Sequence, residues 1–233
     1  MGCAFCASTL HGLQRNLTAG EISGQIMTAQ RDLKRRISNI VMMGSGEPFD
    51  NFENVMKFIK IAVSPDGLGI GARHITVSTC GLTDGIYALA ESGIPVNLSI
   101  SLHAPNDTIR KSIMPVARAV PIERLQKAAR DFFEKTKRRV TYEYALIDGV
   151  NDSDECAREL AALIGHDGTH VNLIPVNAVK ERNYKKSRSV ERFMKLLAKS
   201  NINATVRREM GADISAACGQ LRNENISGMG DEC

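Results

Sequence analysis

Residues 74–102, HITVSTCGLTDGIYALAESGIPVNLSISL, contain two strand-like runs with one helical pattern between them. The runs 74–79 and 96–102 are rich in β-branched and apolar residues, whereas 82–91 has helical spacing. A strand, a helix and a second strand within roughly 30 residues form a βαβ unit, in which the two strands are parallel. This stretch therefore predicts an α/β fold built on a parallel sheet.

The same alternation continues on both sides of this unit. Further strand-like runs occupy 39–44, 139–147, 170–176 and 204–208, and further helical patterns occupy 18–36, 51–63, 121–134, 152–164 and 189–199. The strand runs are almost continuously apolar at their centres, as expected of strands covered on both faces. The sequence shows no linker, internal repeat or low-complexity segment. We therefore expect one domain over residues 1–233.

Two of the helices carry specific predictions about their ends. Thr18 and Glu21 form a capping box, which predicts the start of the first helix. The apolar stripe of that helix is predicted at Ile22, Ile26, Ala29 and Leu33. The helix at 152–164 is expected to begin with Asp152 and to stop at Gly165.

The composition is that of a globular protein. Hydrophobic residues make up 43% of the 233 residues and charged residues 24%, which argues against a disordered or fibrous chain. No apolar run approaches the ~20 residues that cross a bilayer, and no secretory signal is visible. We therefore expect a cytoplasmic protein without membrane association. Six cysteines in such a chain favour metal or redox chemistry over a disulfide scaffold.

One segment, 180–192 (KERNYKKSRSVER), concentrates positive charge. Its six basic and two acidic residues give 6 − 2 = +4, which equals the net charge of the whole chain. Tyr184 lies inside this run and offers a ring for stacking on an unpaired base. The segment could therefore grip an RNA backbone, or it could simply be a solvated loop that opens the helix at 189–199.

Cys3 and Cys6 form a Cys-x-x-Cys motif with four open interpretations: half of a zinc site, a redox dithiol, part of an iron–sulfur site, or two incidental cysteines. Zinc would need a second pair or histidines at ligand spacing, which the sequence does not show. A thioredoxin-like dithiol should follow a strand, and none precedes Cys3. Soft thiolates also select iron–sulfur clusters.

The other cysteines have less informative surroundings. Cys218 lies in a short Ala-rich stretch that follows Asp213, so it is either a small buried residue or a thiol whose pKa is lowered at a capped helix N-terminus. Cys156 is interpreted as a helix core residue, and Cys80 and Cys233 receive no assignment.

Small and polar residues repeatedly follow the strand runs. These segments are Gly44-Ser-Gly-Glu-Pro48, Ser78-Thr-Cys-Gly81, Ser101-Leu-His103 and Pro175-Val-Asn177. Ligands of parallel α/β folds bind at the carboxyl ends of the strands, so these segments predict a pocket there.

Six motifs in order resemble one family, the radical S-adenosylmethionine (SAM) adenine-C2 methyltransferases of 23S rRNA and tRNA. They are Cys3-Ala-Phe-Cys6 with Arg15-Asn-Leu-Thr18, Met43-Gly-Ser-Gly-Glu-Pro48, Ser78-Thr79, Ser101-Leu-His-Ala-Pro-Asn106, Asn172-Leu-Ile-Pro-Val-Asn177 and Asp213-Ile-Ser-Ala-Ala-Cys-Gly-Gln-Leu221. The resemblance extends from Met1 to about Leu221.

This resemblance implies a partial (β/α) TIM-like barrel of the radical SAM type around a 4Fe-4S cluster and SAM. Cys3 and Cys6 resemble two of the family's three cluster ligands. The positions that resemble its SAM contacts are Gly46, Glu47, Ser78, Ser101, Leu102, His103 and Asn177.

In the same way, Cys218 resembles the family's methyl-carrying cysteine. The resemblance implies that one SAM methylates this thiolate and that a second SAM yields a 5′-deoxyadenosyl radical. That radical takes a hydrogen from the S-methyl group, and the carbon radical adds to C2 of the adenine. A second cysteine then resolves the protein–RNA adduct as a disulfide. The implied partners are 23S rRNA, tRNA and a flavodoxin or ferredoxin electron donor, with the enzyme as a monomer.

The family pattern also has upstream parts that we do not find in the sequence. These are the first cluster cysteine, the first barrel strand, the resolving cysteine and an N-terminal RNA-binding domain. We therefore expect an N-terminally truncated catalytic domain that holds its cluster weakly. The alternatives are the sister adenine-C8 methyltransferase, a cluster-free RNA-binding fragment and, more distantly, a zinc-binding module.

Overall fold

The computed structural model describes residues 1–6, 9, 12–165, 169–176 and 184–207. Six strands form one sheet in chain order, β1 (Ile40–Met42), β2 (Ile75–Thr79), β3 (Asn97–Ser101), β4 (Val140–Leu146), β5 (His170–Pro175) and β6 (Asn203–Val206). Every neighbouring pair is parallel. The predicted α/β fold with a parallel sheet is confirmed.

Seven α-helices surround this sheet in the described ranges: α1 (Ala19–Leu33), α2 (Phe52–Val63), α3 (Thr83–Glu91), α4 (Asp107–Ile113), α5 (Ile122–Thr136), α6 (Asp154–Ile164) and α7 (Val190–Lys199). Short 3-10 turns lie at Pro48–Asn51, Ala72–His74 and Pro115–Arg118. The sequence analysis missed α4. This helix has only seven residues, about two turns, which are too few to show a helical period of apolar residues. Its start is fixed by Asn106, whose side chain accepts a hydrogen bond from Ile109 N at 3.0 Å.

The core lies between the central strands and the helices that cover them. Ile75, Val77, Leu98 and Ile100 are fully buried on β2 and β3, and Phe58 is fully buried on α2. Burying each such side chain contributes roughly 1.5–3 kcal/mol. The edges are less covered, since Val41 on β1 is 61% exposed. Among the described residues, no helix is both long and apolar enough to span a membrane.

Two predictions about helix α1 have different outcomes. The capping box is confirmed, since Glu21 N donates to Thr18 Oγ1 at 3.3 Å and Thr18 N donates to a Glu21 carboxylate oxygen at 2.9 Å. Ile22 and Ile26 pack against the core as predicted. The prediction for Leu33 is wrong, because its side chain is 62% exposed. The chain turns at Lys34 with a φ of 52°, and Ile37 packs against the core after that turn.

Helix α6 begins two residues later than predicted. Ser153 caps it by accepting a hydrogen bond from Cys156 N at 3.1 Å. Asp152 serves the preceding turn instead, where its carboxylate accepts from Gly149 N at 3.0 Å and from Ser187 Oγ at 2.6 Å. Cys156 is buried in the helix core, as interpreted from the sequence.

Candidate functional site

A cavity of about 540 Å³ opens at the carboxyl ends of the strands. Seven of the predicted site residues line it: Cys3, Cys6, Gly46, Glu47, Ser78, Ser101 and His103. Leu102 does not line it, because its side chain is fully buried in the core. Asn177 and Cys218 lie outside the described residues. The predicted pocket at this edge of the sheet is therefore present.

The Cys-x-x-Cys segment forms a tight turn on one wall of the cavity. Cys6 N donates to Cys3 O at 3.2 Å, and Ala4 N donates to Ile113 O at 2.8 Å, which ties the turn to the end of α4. Cys3 is buried, and burial raises the pKa of its thiol to about 11. A thiol in this state stays protonated at neutral pH until a bound metal displaces the proton.

The donor chemistry of this turn fits part of an iron–sulfur site. Cys3 and Cys6 present two soft sulfur donors to one cavity, as iron–sulfur clusters require. In the ranges that the structure describes, no three His, Cys, Asp or Glu side chains are grouped to hold a metal ion.

Glu47 presents a carboxylate to the same cavity. It caps the 3-10 turn Pro48–Asn51, where Oε1 accepts from Phe49 N at 3.2 Å and Oε2 accepts from Cys80 N at 2.7 Å. Phe49 anchors the turn against α3, where a Cβ at Gly85 would lie 2.4 Å from its ring. Burial raises the pKa of Glu47, although its hydrogen bonds oppose this. When ionised, the carboxylate can bind a ligand cation.

Cys80, which the sequence left unassigned, lines the same cavity after β2. It is buried in one apolar cluster with Cys3, Ile113 and Met114. Burial raises the pKa of its thiol, and the nearby charge of Glu47 raises it further. Cys80 is therefore a neutral thiol that lies beside both Cys3 and Glu47. Its contact with Cys3 follows from the order of the strands and has no signal in the sequence.

His103 is fixed at the end of β3 in a left-handed conformation, with a φ of 56°. Its Nδ1 accepts a hydrogen bond from Ala145 N at 2.9 Å, so the ring proton is on Nε2. Burial lowers the pKa of His103 to about 3, and the charge of Arg110 acts in the same direction. The ring is thus neutral at physiological pH. Phe5 packs edge-on against it, with ring centroids 4.8 Å apart.

Three buried polar residues that the sequence analysis missed support these walls. Asn151 donates to His103 O at 2.7 Å and to Ala145 O at 2.6 Å, while its Oδ1 accepts from Ile147 N at 2.8 Å. Glu143 accepts from Ser99 Oγ at 2.9 Å and from Asn172 Nδ2 at 2.8 Å. Arg110 is fully buried on α4. Glu143 had a signal in the sequence, as a charged residue inside an apolar strand run.

The comparisons with known proteins agree with this geometry. Residues 1–161 match the Radical SAM superfamily. The chain is 56% identical over 229 residues to a "Probable dual-specificity RNA methyltransferase RlmN" of Caldicellulosiruptor saccharolyticus, covering 97% of this chain and 67% of that protein. The protein with the same description from Alkaliphilus oremlandii is 57% identical over 228 residues, covering 97% and 66%.

Solved structures give the same result. A radical SAM methyltransferase from Sphaerobacter thermophilus superposes with a TM-score of 0.90 at 49% identity, covering 94% of this chain and 66% of that one. Streptococcus suis SuiB bound to S-adenosylmethionine shares the fold alone, with a TM-score of 0.63 at 17% identity. The chain thus spans about two thirds of the length of its similar relatives.

Radical SAM proteins use a 4Fe-4S cluster and SAM, and these are accordingly the cofactors of this chain. The thiol pair, the carboxylate wall and the cavity between them suit those two groups. The chain belongs to the radical SAM superfamily and, within it, to the family of the RlmN RNA methyltransferases.

Proposed function

We propose that this chain is the catalytic part of an enzyme that methylates C2 of a specific adenine in 23S rRNA and in tRNA. The observation that carries this proposal is one cavity at the strand ends that is lined by the two thiols of Cys3 and Cys6 and by the buried carboxylate of Glu47. The 56% identity to an RNA methyltransferase over 97% of the chain selects RNA as the methyl acceptor.

In this proposal Cys3 and Cys6 hold the cluster. Glu47 binds the amino group of SAM beside Gly46, whose φ is 134°. Ser78, Ser101, His103 and Asn177 provide the remaining polar contacts. Leu102 acts through its backbone, since its N–H donates to Glu143 O at 3.1 Å and its carbonyl accepts from Arg110 Nε at 3.3 Å. Both groups are occupied, so Leu102 positions the neighbouring His103.

Cys218 is the methyl carrier in this proposal. Its thiolate attacks the methyl group of SAM, which forms an S–CH3 bond and releases S-adenosylhomocysteine. When bound, the cluster and a second SAM supply the 5′-deoxyadenosyl radical that activates this methyl group. The cavity walls orient SAM and exclude water. We propose that the reaction takes place in the cytoplasm, on a monomer, with a flavodoxin or ferredoxin donor.

The test of this function is the identity of the methylated nucleoside. The anaerobic holoenzyme, reductant and SAM are incubated with unmodified RNA, which is then digested and separated by mass spectrometry. We expect 2-methyladenosine. The sister activity would give 8-methyladenosine, and a cluster-free RNA-binding fragment would give neither.

The exposed basic side chains of 184–192 support an RNA contact. Lys185, Lys186 and Arg188 are exposed. Arg192 forms an ion pair with Asp154. The ring of Tyr184 is half-buried and packs against the apolar cluster around Ile147. Stacking of Tyr184 on a base, as suggested by the sequence, therefore has less support than phosphate contacts from the basic side chains.

Neutralising these three side chains tests the contact. Changing Lys185, Lys186 and Arg188 to Gln should weaken RNA binding and flatten its dependence on salt, because fewer counterions are released. The matched control neutralises the exposed Arg35, Lys57 and Lys60, of which the first follows α1 and the other two lie on α2. An equal loss of binding in both variants, or none in either, would contradict an RNA contact at this segment.

A further inference from the structure

Arg110 is a buried cation that the proposed mechanism does not use. Its side chain is fully buried on α4. A fully buried arginine is rarely found without a carboxylate partner. The guanidinium donates only to backbone carbonyls: Nη2 to Cys80 O at 2.7 Å, Nη1 to Val120 O at 3.0 Å and Nε to Leu102 O at 3.3 Å. Within the described part of the chain, these three carbonyls are its hydrogen-bond partners.

The position of this charge is set by the cluster-binding turn and by the strand ends. Arg110 shares α4 with Ile113, whose carbonyl holds the Cys-x-x-Cys turn through Ala4 N at 2.8 Å. Gly81 permits the close approach of the guanidinium, because a Cβ there would lie 3.0 Å from Nη2. Cys80, whose carbonyl Arg110 holds, lies in one apolar cluster with Cys3. The guanidinium is therefore placed beside the proposed cluster site.

The nearest charges leave Arg110 without a direct counterion. Asp107, one turn earlier on α4, acts on it electrostatically, but Asp107 Oδ1 accepts its hydrogen bond from Ile122 N at 3.0 Å. An anion bound at Cys3 would complete the charge balance of this buried region.

We propose that Arg110 is the counter-cation of the cluster site: its buried charge favours the reduced cluster, and two of its three hydrogen bonds hold Cys80 and Leu102, which directly follow β2 and β3. The inference rests on the proposed function. One-electron reduction by the flavodoxin- or ferredoxin-type donor adds a negative charge at the thiolate-bound cluster. A fixed positive charge in a poorly solvated environment stabilises that added charge more than the oxidised state.

The test is the midpoint potential of the cluster in the anaerobic holoenzyme, measured by a redox titration followed by electron paramagnetic resonance. Arg110→Gln keeps N–H donors and removes the charge. We expect its equilibrium constant for one-electron reduction to fall roughly tenfold, a shift of about 59 mV to lower potential. Arg110→Lys keeps the charge and loses the planar fork, so its potential should stay close to that of the wild type.

Two further variants control for structural damage. Asp107→Asn removes the neighbouring negative charge, keeps the acceptor for Ile122 N and should shift the potential in the opposite direction. Lys111→Gln removes an exposed charge from the same helix and should leave the potential unchanged, because that charge is screened by water. If Arg110→Gln does not fold, the sign of the shift in Asp107→Asn decides.

The outcomes separate this inference from the proposed function. A wild-type holoenzyme that shows no reducible cluster would refute the proposed function. A wild type with its cluster, and an Arg110→Gln variant of equal cluster content and unchanged potential, would refute the inference alone. A purely structural arginine would change the melting temperature and leave the potential of the remaining folded enzyme as it was.

Discussion

Glu47 and His103 are two buried titratable side chains of one cavity, and they differ in how their hydrogen-bonding atoms are used. Glu47 is buried and lines the cavity, and its two carboxylate oxygens accept hydrogen bonds from two backbone N–H groups. A carboxylate is an acceptor-only group. His103 is equally buried, and its Nδ1 is used by Ala145 N. Burial raises the pKa of Glu47 and lowers the pKa of His103 to about 3, so it favours the neutral form of both, and the difference lies in their hydrogen bonds.

This difference separates a binding group from a shaping group. Glu47 can be ionised by a cationic ligand, because that ligand replaces the water that burial removed. Protonation of His103 at Nδ1 would break its hydrogen bond from Ala145 N. It would also place a second positive charge near Arg110. We therefore expect Glu47 to respond to the ligand and His103 to keep the wall in place.

Removing the hydrogen bonds that hold His103 and its neighbours in place should have the largest effect on stability. Asn151→Ala would leave three buried partners, His103 O, Ala145 O and Ile147 N, without their hydrogen bonds. We expect a loss of about 3 kcal/mol in the free energy of unfolding, measured by urea denaturation. A loss below that of an exposed Asn39→Ala control would contradict the role of Asn151 in holding this wall.

Neutralising the Glu47 wall should have a smaller effect on stability and a specific effect on SAM. Glu47→Gln keeps an oxygen acceptor but removes the charge that binds the ammonium of SAM. We expect the dissociation constant of SAM to rise roughly 10- to 100-fold, as for the loss of a charged hydrogen bond. The exposed Glu53→Gln on α2 is the control in equilibrium binding. Equal affinities for both variants would remove Glu47 from the binding site.

The pH dependence of stability sharpens the same comparison, with an effect that is small over any single pH unit. The folded pKa of His103, about 3, lies below its ordinary value of 6.5, so its contribution is present above 6.5 and is lost as the pH falls towards 3. We expect about 1 kcal/mol of stability to be lost per pH unit in this window. Urea denaturation of His103→Asn should show a flatter slope there. An identical slope in both proteins would show that His103 does not titrate in this way.

The sequence predicted the six strands and most helices because each has a long apolar run or a clear helical period. It failed at α4, which is too short to show a period, and at Leu33, because helix α1 ends there and Ile37 packs against the core after the turn at Lys34. Predicted SAM contacts at Gly46, Glu47, Ser78, Ser101 and His103 do line one cavity. Their roles stay predictions.

The supporting residues could not be predicted in the same way. Arg110 is a residue type usually found at the surface, and its partners lie up to 30 residues away along the chain. Cys80 and Cys3 share one apolar cluster because β2 ends at the cavity and the end of α4 holds the thiol turn there through Ile113 O. Such contacts depend on the three-dimensional arrangement of the strands, which a periodicity in the sequence does not specify.

The most direct measurement is the electron paramagnetic resonance spectrum of the reduced holoenzyme with and without SAM. If the Cys3–Cys6 wall holds the cluster and the Glu47 wall holds SAM beside it, adding SAM should change the spectrum of the wild type. The same addition should leave the Glu47→Gln spectrum unchanged at a SAM concentration that saturates the wild type. A reduced cluster whose spectrum ignores SAM in the wild type, or a protein without such a cluster, would contradict this account of the cavity.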